Sequence, residues 1–246
     1  MSITNSDDDA IDLSLQQVLT ATCQRLSDSP LYYGHGTDCA WDEAAYLVLA
    51  ALGLAATTAL NQAPSHLQMA QYQRLQTLLQ QRIDTRCPTA YLTHESYFAG
   101  LAFYVDEQVL IPRSPLAELI EQAFSLWLAP SHIQRVLEIG TGSGCIAIAI
   151  AHYLPHCHVD ATDIDQQALN IAARNAKQHQ VSERVNFIKS DVFATVAPQE
   201  YDIIISNPPY VNAEDMANLP AEYQHEPQHA LAAGVDGLDI VRRILR

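Results

Sequence analysis

One stretch limits the folds open to this chain more than any other. Tyr201-Asp202-Ile203-Ile204-Ile205 runs into Ser206-Asn207-Pro208-Pro209-Tyr210. The first part is short, apolar and β-branched, the pattern of a strand covered on both faces. Two prolines then stop it, because each fixes φ and donates no N–H. Pro208 also keeps Asn207 out of the helical region. The expected product is a rigid platform at the carboxyl end of a buried strand, where open α/β sheets bind their ligands. Asn207 offers a carboxamide there, and the Pro208 carbonyl points into the same space. Tyr210 can pack flat on a planar group. Two converging acceptors suit a planar group with two N–H donors, either a carboxamide or the exocyclic amine of a base. A lone Pro-Pro pair reads more plainly as a turn; the residues upstream argue for the platform.

Upstream, strand and helix patterns alternate with short loops. Val136-Leu137-Glu138-Ile139 reads as a buried strand and Cys145–Leu154 as the helix after it. Val159–Asp163, a helix from Asp165 to about His179, and Val185–Ile188 follow, with Ser190-Asp191 after the third strand. This order predicts a doubly wound parallel sheet of the α/β class. The first turn is Gly140-Thr141-Gly142-Ser143-Gly144. Its glycines let backbone approach a ligand, and the next helix presents free N–H groups. Asp163, about 20 positions on, is placed for ribose hydroxyls. A dinucleotide fingerprint would need glycine where Cys145 stands. Glu138 disfavours a pyrophosphate and favours a ligand with a cationic end, such as S-adenosylmethionine. Asp191 is placed to accept from the adenine amine, and the Val192 N–H to donate to a ring nitrogen. The cofactor-binding residues read this way are Glu138, Gly140, Thr141, Gly142, Gly144, Asp163, Asp191, Val192 and Asn207.

The first third is different. Residues 1–9 are polar and acidic, a frayed tail. Helical periodicity places Ile11, Leu15, Val18, Leu19 and Thr22 on one face. A second helix, capped by Asp38, ends at Gly53, and a third starts at a Ser65/Gln68 capping box and ends near Arg82. These predict a helical bundle over residues 1–88. Residues 89–112 are rich in aromatic and β-branched residues around a glycine and read as a β-hairpin linker. The sheet domain takes 113–246, entered by a helix capped by Ser114 with Pro115 at its first position.

Composition narrows the function classes. The chain has 246 residues, 48% hydrophobic and 17% charged, so it can bury a core. A formal net charge of −15 repels nucleic acid and attracts a basic protein. Five cysteines without a CxxC pair argue against a disulfide framework or a zinc site, and no metal is expected. A reducing cytoplasm is the compartment read from them. No apolar run is long enough to span a bilayer, so no membrane partner is expected.

Val136–Gly144, Asp163, Ser190-Asp191 and Ser206–Tyr210 resemble the motifs of class I S-adenosylmethionine-dependent methyltransferases that modify amide or amino nitrogens. Leu110-Ile111-Pro112-Arg113 and the residues Glu226-Pro227, Ala230-Leu231, Gly234 and Asp236-Gly237-Leu238 resemble the protein-glutamine methyltransferases of the HemK type. Arg113-Ser114-Pro115-Leu116-Ala117-Glu118 and Tyr32-Tyr33-Gly34-His35-Gly36 are similar to the branch that acts on large-subunit ribosomal protein L-three. The resemblance implies Asn207, Pro208 and Tyr210 as catalytic, and Asn207, Pro208, Pro209, Tyr210 and Arg113 as substrate-binding. It implies that basic ribosomal protein as the partner; a monomer is expected, and the net charge of −15 argues against direct DNA contact. The family's sheet has seven strands and four are legible before Arg246, so a C-terminally truncated domain with an incomplete substrate groove is expected. Three other readings stay open: a release-factor glutamine methyltransferase, an adenine-amine DNA methyltransferase, and an inactive cofactor-binding remnant.

Overall fold

The computed structural model describes residues 10–246, and the tail over 1–9 lies outside them. The chain forms two compact units, one through Thr93 and one from His94. The break falls after a short helix, five residues beyond the expected boundary at 88.

In the first unit β1 (Ala10–Ser14) pairs antiparallel with β2 (His66–Gln68). Around this ladder stand α1 (Leu15–Ser27), α2 (Ala40–Leu52), α3 (Met69–Thr85) and α4 (Thr89–Thr93). Ile11 therefore sits on a strand and not on the face of α1. Ser14 opens α1 with a capping box to Gln17. The Ser65/Gln68 box does not form. Ser65 gives its carbonyl to the Leu15 N–H at 2.7 Å, and the box is made one turn later by Gln68 and Gln71. α2 starts after Cys39, which makes no side-chain cap, so Asp38 does not cap it; Gly53 ends it in the left-handed conformation. Residues 89–93 form α4 rather than strand, and Thr89, Ala90 and Tyr91 are buried. Inside this unit the Glu43 carboxylate is buried, accepting from Arg82 Nε at 2.6 Å and from the Thr89 hydroxyl.

The second unit opens with the hairpin β3 (Ser96–Phe98) and β4 (Leu101–Phe103). Ala99 and Gly100 both have positive φ, as a two-residue primed turn requires. α5 (Leu116–Glu121) follows, with the Ser114 hydroxyl accepting from the Leu116 N–H. It stops short of Phe124 because Ala123 and Phe124 turn to positive φ. Then come β5 (Arg135–Ile139), α6 (Cys145–Tyr153), β6 (His158–Asp163), α7 (Gln166–Gln178), β7 (Val185–Lys189) and β8 (Ile203–Ser206). All four strands are parallel, in the order β7-β6-β5-β8. The chain winds out from β5 to β7 and returns to the other side of β5 as β8. The switch point of this doubly wound sheet therefore lies between β5 and β8. α8 (Ala213–Asn218) and α9 (Asp239–Ile244) complete the described residues.

α6 is apolar on every side because it is buried on every side. α7 packs against it so closely that Gly144, where α6 begins, has no room for a side chain. A Cβ there would lie 2.9 Å from Ala172 Cβ and 3.0 Å from Ile148 Cδ1, at a φ of 82°. Asn175 on α7 is fully buried. Its Nδ2 donates to the carbonyls of Ser143 (2.9 Å) and Tyr104 (3.0 Å), and its Oδ1 accepts from the Tyr104 N–H. One carboxamide thus joins the glycine turn to Tyr104, the residue after β4. Gly144→Ala should lower unfolding free energy in urea by about 2–4 kcal/mol, since it combines overpacking with an unfavourable φ.

Candidate active site

The parallel register puts the ends of β5, β6, β7 and β8 along one edge, so the turns after them meet. They line a cavity of about 270 Å³ whose walls include Ile139, Gly140, Gly142, Asp163, Asp191, Val192, Asn207 and Pro209. A second cavity of about 40 Å³ adjoins it, lined by Pro112, Arg113, Ser114, Glu138, Thr141, Ser143 and Cys145 among others. Leu110, Gly140, Gly142 and Asn207 face both. They form the seam between the two spaces.

Two of the glycines are open to a ligand and one is not. A Cβ at Gly140 or Gly142 would meet nothing within 4 Å. Gly144 lines neither cavity, and a Cβ there would meet Ala172, so helix packing by itself requires glycine at this position. The turn's shape is held by Asp163. Its Oδ2 accepts from the Gly142 N–H at 2.8 Å and its Oδ1 from the Asp165 N–H at 2.9 Å. Burial raises the Asp163 carboxyl above its ordinary range, against those two N–H groups and the nearby His229 imidazole. Each carboxylate oxygen keeps a further acceptor direction for a hydroxyl in the cavity.

Glu138 is wholly buried on β5. Its Oε2 accepts from the Thr141 hydroxyl at 2.6 Å and from the Ala147 N–H at 3.0 Å. Its Oε1 has no partner among the described residues. Burial pushes the carboxyl up to about 7, in spite of those two bonds. An unpartnered buried acceptor beside the glycine turn is what a cationic or N–H-bearing ligand group would satisfy. The Thr141 side chain is spent on Glu138, so Thr141 bears on the site through that carboxylate.

At the end of β7, Val192 has a φ of 54°, an outlier for a β-branched residue. Strain of this kind is kept where the surroundings enforce it. Here Val192 packs with Leu137 and Ile139, and its N–H has no partner among the described residues. Asp191 beside it is not free. Its Oδ1 lies 2.6 Å from Arg243 Nη2, on α9, and Arg243 and Ile240 line the same cavity. The sequence reading missed both residues because it left α9 without a place in the sheet domain.

The platform keeps its acceptors unpaired. Asn207 faces both cavities, and neither its carboxamide nor the Pro208 carbonyl has a hydrogen-bond partner among the described residues. Ser206 fixes the platform from below, donating to the Ile139 carbonyl at 2.7 Å. Pro209 lines the larger cavity; Pro208 and Tyr210 line neither, and Tyr210 is 66% exposed. Arg113 reaches the smaller cavity, and its guanidinium is held bidentate by Glu226. His229, passed over in the sequence, lines the larger cavity and lies 3.7 Å from Asp165.

A doubly wound parallel sheet with an open glycine turn, strand-end carboxylates and the Asn207 and Pro209 of an Asn-Pro-Pro-Tyr turn on one cavity defines a class I S-adenosylmethionine-dependent methyltransferase. The family model of the methyltransferase small domain matches residues 121–234. The ribosomal protein uL3 glutamine methyltransferase of Xanthomonas campestris pv. campestris is 47% identical over 223 residues, covering 90% of this chain and 72% of that protein. Its counterpart from Bordetella pertussis is 41% identical over 233 residues, covering 94% and 78%. Among solved structures, the N-terminal domain of human METTL16 in complex with SAH aligns at a TM-score of 0.40 and 22% identity, over 71% of this chain and 60% of that one. The chain belongs to the family of ribosomal protein uL3 glutamine methyltransferases.

The Glu138 carboxyl has a sign that can be checked. Its folded value, about 7, lies above the ordinary 4.5, so between those values the folded state holds a proton that the unfolded state has lost. Stability due to this group therefore falls as pH rises from about 4.5 to about 7, and the full cost persists above. Glu138→Gln should gain stability over the parent protein by about 3 kcal/mol on going from pH 4 to pH 8, measured by urea unfolding at both.

Proposed function

We propose that this chain transfers a methyl group from S-adenosylmethionine to the side-chain amide nitrogen of a glutamine in ribosomal protein uL3. The observation that carries the reading is Asn207, an unpaired carboxamide on the seam between two cavities, in a chain 47% and 41% identical to two uL3 glutamine methyltransferases. The net charge of −15 suits a basic ribosomal protein better than DNA. It also weighs against the adenine-amine alternative, which the platform alone would accept. The reading places the protein in the cytoplasm, where uL3 would be modified during ribosome assembly. Free cysteines at all five positions agree with that compartment.

The donor, when bound, supplies a methyl group on a sulfonium; the chain's own residues do the rest. The open backbone at Gly140 and Gly142 admits the ligand closely. Asp163 has acceptor capacity for ribose hydroxyls, and the unpaired Val192 N–H can donate to a base nitrogen. Glu138 Oε1 can take a cationic group. Asp191 reaches a base amine only by sharing its carboxylate with Arg243.

On the substrate side, Asn207 Oδ1 and the Pro208 carbonyl accept from the two N–H groups of the glutamine amide. Accepting both protons shifts electron density toward a nitrogen whose lone pair is otherwise delocalised into the carbonyl. With the donor bound, the N–C bond would form as the donor's S–C bond breaks, and the methylated nitrogen, then strongly acidic, would give its extra proton to water. No general base is needed, so no histidine is assigned that task. Tyr210, exposed at the outer side of the platform, would cover the amide plane once the substrate is seated. Orientation and exclusion of water supply the acceleration.

Incubation with labelled S-adenosylmethionine, separated large-subunit proteins and purified release factors should label uL3 alone, on a glutamine. Label on a release factor instead would overturn the substrate assignment. Asn207→Ala should lower turnover by about 10²–10³-fold, the scale seen when one aligned polar contact to a reacting group is removed. S-adenosylhomocysteine affinity in calorimetry should fall far less, by about tenfold at most, a difference of about 1.4 kcal/mol.

A further inference from the structure

We propose that Glu226 is a positioning residue for the transfer, acting through Arg113 to hold the two walls of the substrate-side cavity in register; this rests on the reading given above. Glu226 is 2% exposed. Its Oε1 accepts from Arg113 Nη1 at 2.6 Å and from the Ile111 N–H at 3.1 Å, and its Oε2 accepts from Arg113 Nη2 at 2.6 Å. Two parallel charge-assisted bonds plus a backbone bond fix both distance and angle. The Arg113 guanidinium also lies over the Tyr223 ring, 5.4 Å from its centre. Burial works against the Arg113 charge, but the Glu226 carboxylate outweighs it and keeps the guanidinium firmly protonated.

The pair joins the stretch 109–113 to the stretch that runs on from Glu226. Residues 109–113 contribute Val109 and Leu110 to the larger cavity, and Leu110, Pro112 and Arg113 to the smaller. They belong to no sheet ladder. Residues beyond Glu226 contribute His229 and Ala230 to the larger cavity, then reach the platform. The Val211 N–H donates to the Leu231 carbonyl at 2.9 Å, and the Ala233 N–H to the Val211 carbonyl at 2.9 Å. Val211 follows Tyr210 directly. A mechanical chain therefore runs from the Leu110 wall through Arg113 and Glu226 to the backbone that carries Asn207. Both ends of it lie on the seam where donor and amide must meet.

Removing one charge would leave the other buried and unpaired, which is strongly destabilising. The test therefore uses Arg113→Lys, which keeps both charges and loses the fork, and the double variant Arg113→Gln with Glu226→Gln, which removes both charges. For each, turnover on uL3, KM for uL3, S-adenosylhomocysteine affinity and melting temperature are measured. The expected result is a kcat about 10- to 100-fold lower, the effect of misplacing reacting groups by about 1 Å. Cofactor affinity should stay within about threefold and the double variant should melt near the parent. Normal turnover in either folded variant overturns the proposal. So does a loss of cofactor affinity matching the loss of turnover, because the pair would then be general scaffolding. If the parent chain does not label uL3, the substrate reading fails on its own. The pair is then judged by hydrogen exchange: Arg113→Lys must speed exchange at both 109–113 and 226–233, and unchanged protection at either segment overturns it.

Discussion

The structure depends on the pairing of β5 with a parallel neighbour on each side. Val136 to Ile139 is bonded to β6 along one edge and to β8 along the other. Parallel pairing puts every carboxyl end on the same side, so the glycine turn after β5, Asp163 at the end of β6, Val192 after β7 and Asn207 after β8 converge without further instruction. The turns are not interchangeable. The first is opened by glycines and braced by Asp163; the last is stiffened by two prolines and tied to β5 through the Ser206 hydroxyl. A ligand between them meets an adaptable backbone on one side and a fixed one on the other.

Polar groups around this edge divide into two kinds. Asp163, Glu138 Oε2, Asn175 and Glu226 are committed to backbone or to side-chain partners, and they set the shape of the turns. Glu138 Oε1, the Val192 N–H and the Asn207 carboxamide are uncommitted, and they face cavities or lie at their edge. Leaving buried groups unpaired costs stability, so their concentration here marks where a ligand completes the bonding. Burial lifts the Glu138 carboxyl to about 7 for the same reason.

The sheet and its turns were legible because their signals are local. Isoleucine-rich runs, glycines at every second position and a double proline each dictate backbone geometry whatever surrounds them. Three of the four strands were read to within a residue; the fourth, read from Tyr201 as covered on both faces, starts at Ile203 and lies at the sheet edge with Ile204 exposed. Features set by distant partners were not legible. Ile11 fits a helical face by spacing but pairs with β2, more than fifty positions away. Thr89–Thr93 carries strand-like residues, yet folds as α4 against α2 and α3. Ser65 and Gln68 have capping-box spacing, but the Leu15 N–H claims the Ser65 carbonyl.

In the site, the sequence alone determined which residue types stand at the strand ends, since motif and strand pattern place Gly140, Gly142, Asp163, Val192 and Asn207 without knowledge of the rest. Only the tertiary structure decided what each is free to do. Gly144 is claimed by Ala172 across a helix contact, Asp191 by Arg243 of α9, and Arg113 by Glu226. Backbone form is settled within a few residues, whereas the availability of a side chain depends on which distant group reaches it first.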